Sequence, residues 1–97
     1  MSEDIQSIAD LQRLATQIGP DTWICKSFRG DEWVGLIEFH MHGDKVSGGY
    51  IPFNGASTTA GDQWNVESLD PLTLSPSIAC RNCSHHGWIR DGKWVPA

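Results

Sequence analysis

Two cysteines and two histidines fall within seven residues, in the stretch CRNCSHH from Cys80 to His86. The whole chain holds three cysteines and four histidines, so its soft metal ligands are concentrated there. A Cys-x2-Cys turn lets two thiolates point at one ion from a single tight loop. Zn2+ takes four ligands in a tetrahedron, with sulfur at about 2.3 Å and nitrogen at about 2.0 Å. Cys80 and Cys83 fit that requirement, and His86, three residues after Cys83, closes a third corner. His85 is the adjacent alternative. The fourth ligand has to come from far away in sequence. His40 and His42 share one face of an expected strand, so both imidazoles can converge on one point. Two ligand sets follow: Cys80, Cys83 and His86 with one of His40 or His42, or else His40, His42, Cys80 and Cys83. Cys25 ranks behind these, because strand alternation in TWICKSF can bury it. A redox role for the cysteine pair is disfavoured, since no βαβ pattern surrounds it and no helix follows to lower a thiol pKa.

Hydrolytic chemistry is weighed next. Glu38 lies on the same expected face as His40 and His42, where a base for a metal-bound water would sit. Thiolate-rich sites are usually closed and structural, and so short a chain offers little room for a substrate cleft. A nuclease of the ββα-metal type would need a ligand-bearing helix after the knuckle, where a hairpin is expected instead. The stretch LSPS, Leu74 to Ser77, invites a nucleophilic serine at Ser75 or Ser77. No base stands beside either at suitable spacing, so Ser77 is expected to cap a turn or bond the backbone leading into the knuckle. The chain is therefore not expected to be an enzyme.

The elements that must position these residues are readable from periodicity. Residues 3–18, EDIQSIADLQRLATQI, carry apolar side chains at helical spacing, with Ser2 as cap, Glu3 and Asp4 in the first turn, and Gly19-Pro20 as stop. From residue 22 the pattern changes to strands: TWICKSF, then EWVGLIEFHMH, with Ile37, Phe39 and Met41 on one face and Glu38, His40 and His42 on the other. VSGGYIPF follows, then a Gly/Ser/Thr-rich loop over 54–62, then strands in QWNVES and LTLSPSIA. WIRDGKWV reads as a hairpin turning at Asp91-Gly92. The expected fold is α+β in one domain, residues 1–97: an N-terminal amphipathic helix (3–18) packed on a small, mostly antiparallel sheet, with a β-rich zinc-stabilised core over 22–97 and a C-terminal zinc-knuckle hairpin.

Composition narrows the function classes. A chain of 97 residues buries only about 60–65% of its unfolded surface, so a metal would help hold its thin core. The net charge of −5 is unevenly spread. Residues 1–70 carry 11 acidic and 4 basic side chains, whereas Asp91 faces only Arg81, Arg90 and Lys93 in the remainder. That balance disfavours general nucleic-acid binding. Five tryptophans suggest a core of a few large rings or an aromatic contact surface. No stretch approaches the ~18 apolar residues of a membrane span, and the acidic N-terminus has no signal-peptide pattern. A cytoplasmic protein is expected, whose cysteines bind metal or stay reduced.

The C-terminal third, DPLTLSPSIACRNCSHHGWIRDGKWVPA (residues 70–97), resembles a family of small uncharacterised proteins from phages, prophages and actinobacterial genomes. The match runs through Ser75, Pro76, Ser77, Cys80, Cys83, His86, Gly87, Trp88, Ile89, Arg90, Gly92 and Trp94. A looser likeness covers His40 to Phe53, where members often carry cysteine at the positions of His40 and His42. The resemblance implies a phage-type accessory protein acting in the host cytoplasm or associated with the virion, and it favours His86 over His85 as ligand. The resulting expectation is a zinc-stabilised module that binds a protein partner, either a host factor or a phage assembly component. The alternative is a nucleic-acid-binding zinc ribbon using Arg81, Arg90, Lys93, Trp88 and Trp94. A metal hydrolase with Glu38 as base ranks third.

Overall fold

Turn chemistry divides this chain into antiparallel ladders. The computed structural model describes residues 5–55, 63–81 and 83–97. The helix α1 (Ile8–Leu14) is followed by β1 (Thr16–Gly19), β2 (Thr22–Arg29), β3 (Glu32–His42) and β4 (Lys45–Pro52). These four strands pair in the order β1-β2-β3-β4. A two-stranded ladder joins β5 (Asn65–Leu69) to β6 (Leu72–Ser75). A third sheet, β7-β8-β9, is built from Ile78–Ala79, His86–Arg90 and Lys93–Pro96. Every ladder is antiparallel. The β8–β9 turn has φ of 52° at Asp91 and 75° at Gly92, the left-handed pair that a two-residue hairpin loop needs.

The expectation of a long helix laid on a sheet, closed by a separate zinc hairpin, is corrected. The described residues are mostly antiparallel strand in three sheets, with one short helix. Instead of spanning 3–18, the helix holds seven residues. Ser7 caps it by accepting from the Asp10 N–H at 3.2 Å, and Ala15 ends it in an extended conformation. Thr16 and Gln17 then pair with Ile24 and Trp23. Apolar residues at 14, 15 and 18 fit a helical repeat, but a two-turn helix gains little by itself. The β-branched Thr16 and Ile18 instead gain ladder partners on the sheet edge. Ser2, Glu3 and Asp4, and residues 56–62 of the expected loop, lie outside the described residues. Among the described residues no helix is long and apolar enough to cross a membrane.

The core lies between the four-stranded sheet and the two smaller ones. Ile24, Leu36, Ile51, Phe53, Leu72, Leu74, Ile78 and Ile89 form one buried cluster, flanked by Trp33, Trp64 and Trp94. Along β3 the inward positions are Leu36, Glu38 and His40, whereas Ile37 faces out. The polar alternate of the strand thus points into the molecule, towards the β7-β8-β9 sheet.

Gly87 sets how that sheet closes. A Cβ at this position would lie 2.4 Å from the Val95 carbonyl oxygen and 2.7 Å from the Trp94 ring. The missing side chain therefore makes room for Trp94. Gly87→Ala forces β8 away from β9, and overpacking of this kind costs about 1–3 kcal/mol. For a domain of this size that is a fall in Tm of about 4–20 °C. Calorimetry of the variant checks this, and an unchanged Tm would mean that Trp94 is not seated under β8.

Candidate active site and metal centre

The β7–β8 hairpin carries functional side chains on both faces. Ile78 pairs with Gly87 and Ala79 with His86, and the Cys80 N–H donates to the His85 carbonyl at 2.9 Å. Paired residues share a face and alternate ones oppose. Continuing the register puts Ile78, Cys80, His85, Gly87 and Ile89 inside. It puts Ser77, Ala79, His86 and Trp88 outside.

The inner face meets β3. The ligand atoms of His40, Cys80 and Cys83 lie within 4.8 Å of one another, a group that could hold a metal ion. His40 Nε2 is 3.5 Å from Cys83 Sγ. A tetrahedral ion with ordinary bond lengths holds a nitrogen and a sulfur about 3.5 Å apart, so the observed spacing fits. Glu38, His40 and His85 form a second, overlapping group. Glu38 Oε2 is 3.1 Å from His40 Nδ1 and 2.9 Å from His85 Nε2. A carboxylate on Nδ1 leaves the Nε2 lone pair aimed at the cysteines, the usual orienting arrangement behind a metal-bound imidazole. His85 is sandwiched between His40 (ring centroids 4.0 Å) and Trp94 (4.4 Å). The room left by Gly87 thus seats Trp94, Trp94 seats His85, and His85 abuts His40.

Electrostatics follow from burial. Glu38 and His40 are 4% and 3% exposed. Desolvation, with the charge of Asp21 adding to it, pushes Glu38 up to about 7. Desolvation also holds His40 and His85 below the ordinary histidine range. Both imidazoles are therefore kept neutral, the form that offers a lone pair to a metal.

The other expected ligands lie elsewhere. His42 ends β3 in an exposed position. Cys25 donates its thiol to the Leu14 carbonyl at 3.5 Å, and burial pushes that thiol up. His86 is on the outer face, with Nε2 2.9 Å from Ser77 Oγ. Trp88 sits beside His86 with ring centroids 5.9 Å apart, and Arg90 lies over Trp88 at 4.9 Å. These two rings and one cation are successive outward residues of β8.

The Ser77–His86 pair is the arrangement that sequence reasoning missed. A serine hydroxyl hydrogen-bonded to an imidazole is the starting geometry of nucleophilic acyl transfer. No base stands beside LSPS in sequence, and both histidines that follow it, His85 and His86, read as metal ligands next to the cysteines. The signal lay in the hairpin: strands that turn at the cysteine loop place residues nine apart diagonally on one face.

A model of a protein family described as bacterial ubiquitination-like system serine protease (BubE) matches residues 47–97. The chain belongs to the BubE family. The BubE segment contains Ser77, Cys80, Cys83 and His86, whereas Glu38 and His40 precede it. The BubE name is that of a serine protease and points towards an enzyme, against the expectation of a non-catalytic module. No curated protein and no solved structure matches the chain.

Proposed function

We propose that this protein is a serine protease with Ser77 as nucleophile and His86 as general base, on a hairpin stapled by zinc. The observation that carries the reading is the 2.9 Å contact between His86 Nε2 and Ser77 Oγ, inside the segment that matches a serine-protease family. With its own proton on Nδ1, His86 accepts the Ser77 hydroxyl proton through Nε2. Ser77 Oγ bonds the scissile carbonyl carbon, the C–N bond breaks, and His86 returns the proton to the leaving amine. Water then repeats the sequence in reverse roles and frees Ser77. The partner implied is a polypeptide substrate of a ubiquitination-like system.

The donor set supports zinc as the metal. Two thiolates and a neutral imidazole are a common zinc combination. Bound there, zinc would fix the turn of the hairpin that carries Ser77 and His86. Glu38→Gln removes the carboxyl partner of His40 Nδ1, and loss of such an outer partner costs about 10- to 100-fold in metal affinity. Competition against a chromophoric chelator measures this, and unchanged affinity would show that Glu38 does not support the ligand.

The direct test of the protease reading is labelling with a small alkyl fluorophosphonate, followed by peptide mass mapping. The adduct is expected on Ser77 and on no other serine. Native protein that stays unlabelled, or labels at Ser75, would overturn the assignment.

A further inference from the structure

We infer that the outward face of the β8–β9 hairpin is the docking strip for the substrate of the Ser77–His86 pair. Its occupant is an extended polypeptide segment with carboxylate side chains about three residues from the scissile bond. The inference rests on the serine-protease reading.

The register sets this strip beside the nucleophile. Ile78 pairs with Gly87 and Ala79 with His86, so one step further back Ser77 stands across from Trp88. Trp88 pairs in turn with Val95, and Arg90 with Lys93. Paired residues share a face, and the face of these four is the outward one, since the intervening Ile89 is buried. His86, Arg90, Lys93 and Val95 are exposed and Trp88 is half-buried. The surface therefore runs from the acyl-transfer pair to an apolar step, Trp88 with Val95, and then to a cationic one, Arg90 with Lys93. A strand rises about 3.3 Å per residue, so the cationic step lies about 7 Å beyond the level of Ser77 and Trp88. An extended peptide covers that distance in about two residues. The reacting point lies between Ser77 and His86, which adds about one residue more.

Charge decides the occupant. Arg90 lies over the Trp88 ring at 4.9 Å, a contact that steadies the guanidinium without neutralising it. Among the described residues no carboxylate is ion-paired with Arg90 or Lys93. Asp91, in the turn between them, gives its backbone N–H to Thr73 Oγ1 at 3.0 Å. The chain as a whole carries −5, with 11 acidic and 4 basic side chains over residues 1–70. An acidic segment is thus attracted at this step and repelled elsewhere, which fixes its register over the serine. The half-buried indole and Val95 offer the side chain between them and the scissile bond an apolar seat.

Protection of Ser77 from the small alkyl fluorophosphonate tests the strip. Two peptides that read the same in both directions are compared: EEELAGALEEE and its lysine counterpart KKKLAGALKKK, each acetylated and amidated. An exposed ion pair contributes up to about fivefold, so the acidic peptide is expected to halve the labelling rate at about 5- to 25-fold lower concentration. Salt at about 0.5 M should bring that ratio towards one. In the double variant Arg90→Glu, Lys93→Glu the preference is expected to reverse. Should that variant fail to fold, Arg90→Gln with Lys93→Gln replaces it, with a ratio expected near one. Because the readout is a ratio of two peptides on one protein, it does not depend on how fast each protein is labelled. Native protein that the acidic peptide protects no better than the lysine peptide, or a variant that keeps the native ratio, would overturn the strip while leaving the nucleophile in place. No labelling of the native protein would overturn the protease reading and the strip with it.

Discussion

Ser77→Ala is expected to lower kcat/KM for a peptide substrate by on the order of 10³-fold or more, because the acyl-enzyme can no longer form. His86→Ala removes the general base and is expected to cost about 10²- to 10⁴-fold. The double variant should lose little more than the worse single one, since the two residues act on one proton. Stability should barely change. Ser77 Oγ and His86 Nε2 make an exposed contact with each other, and one exposed hydrogen bond contributes no more than about 1 kcal/mol. Ser75, at the end of β6 and paired with Asn65, is the internal control. A Ser77→Ala protein that retains native turnover would sink the assignment. So would a variant that loses activity only because its Tm has collapsed.

Removal of the metal is expected to have the largest structural effect. His40 comes from the four-stranded sheet, whereas Cys80 and Cys83 come from the β7–β8 turn. An ion on these three donors ties two sheets together across the core. Structural zinc in small domains contributes on the order of 10 kcal/mol, comparable to the whole stability of a domain this size. Chelation, or Cys83→Ala, should therefore unfold the protein at 37 °C. Re-addition of zinc to the chelated native protein should restore the circular dichroism spectrum. Peptidase activity should disappear together with folded signal, because the stapled hairpin also holds Ser77 against His86. One zinc per chain by elemental analysis is expected beforehand. A chelated protein, or a Cys83→Ala variant, that keeps the native melting curve would contradict the staple without touching the serine reading.

The two effects separate cleanly by face. Cys80 and Cys83, which could hold a metal with His40, lie on the inner side of the hairpin, and Ser77 and His86 meet on its outer face. His85 and His86 are neighbours in sequence and serve opposite sides of one sheet. A single-residue slip of register would exchange them, and with them the two sites.

Local chemistry was legible from the residues themselves. The Asp91-Gly92 turn needs two left-handed residues, and that pair supplies them. His40 and Glu38 share a face because strand side chains alternate, whatever the strand packs against. The cysteine loop brings two thiols together over four residues. None of these depends on distant parts of the chain.

Tertiary structure decided the rest. Apolar periodicity in residues 3–18 could not reveal that Thr16 to Gly19 would find a strand partner in β2. Alternation along β3 could not say which face turns inward, and the polar one did. His40 rather than His42 meets the cysteines, because the strand has left the cover of the hairpin by its last residue. Ser77 meets His86 only when β7 pairs with β8 in the observed register. Composition and spacing determine which groups share a face. Which face is buried, and what stands across from it, depends on pairings between segments far apart in sequence, and those are set by the packing of the whole chain.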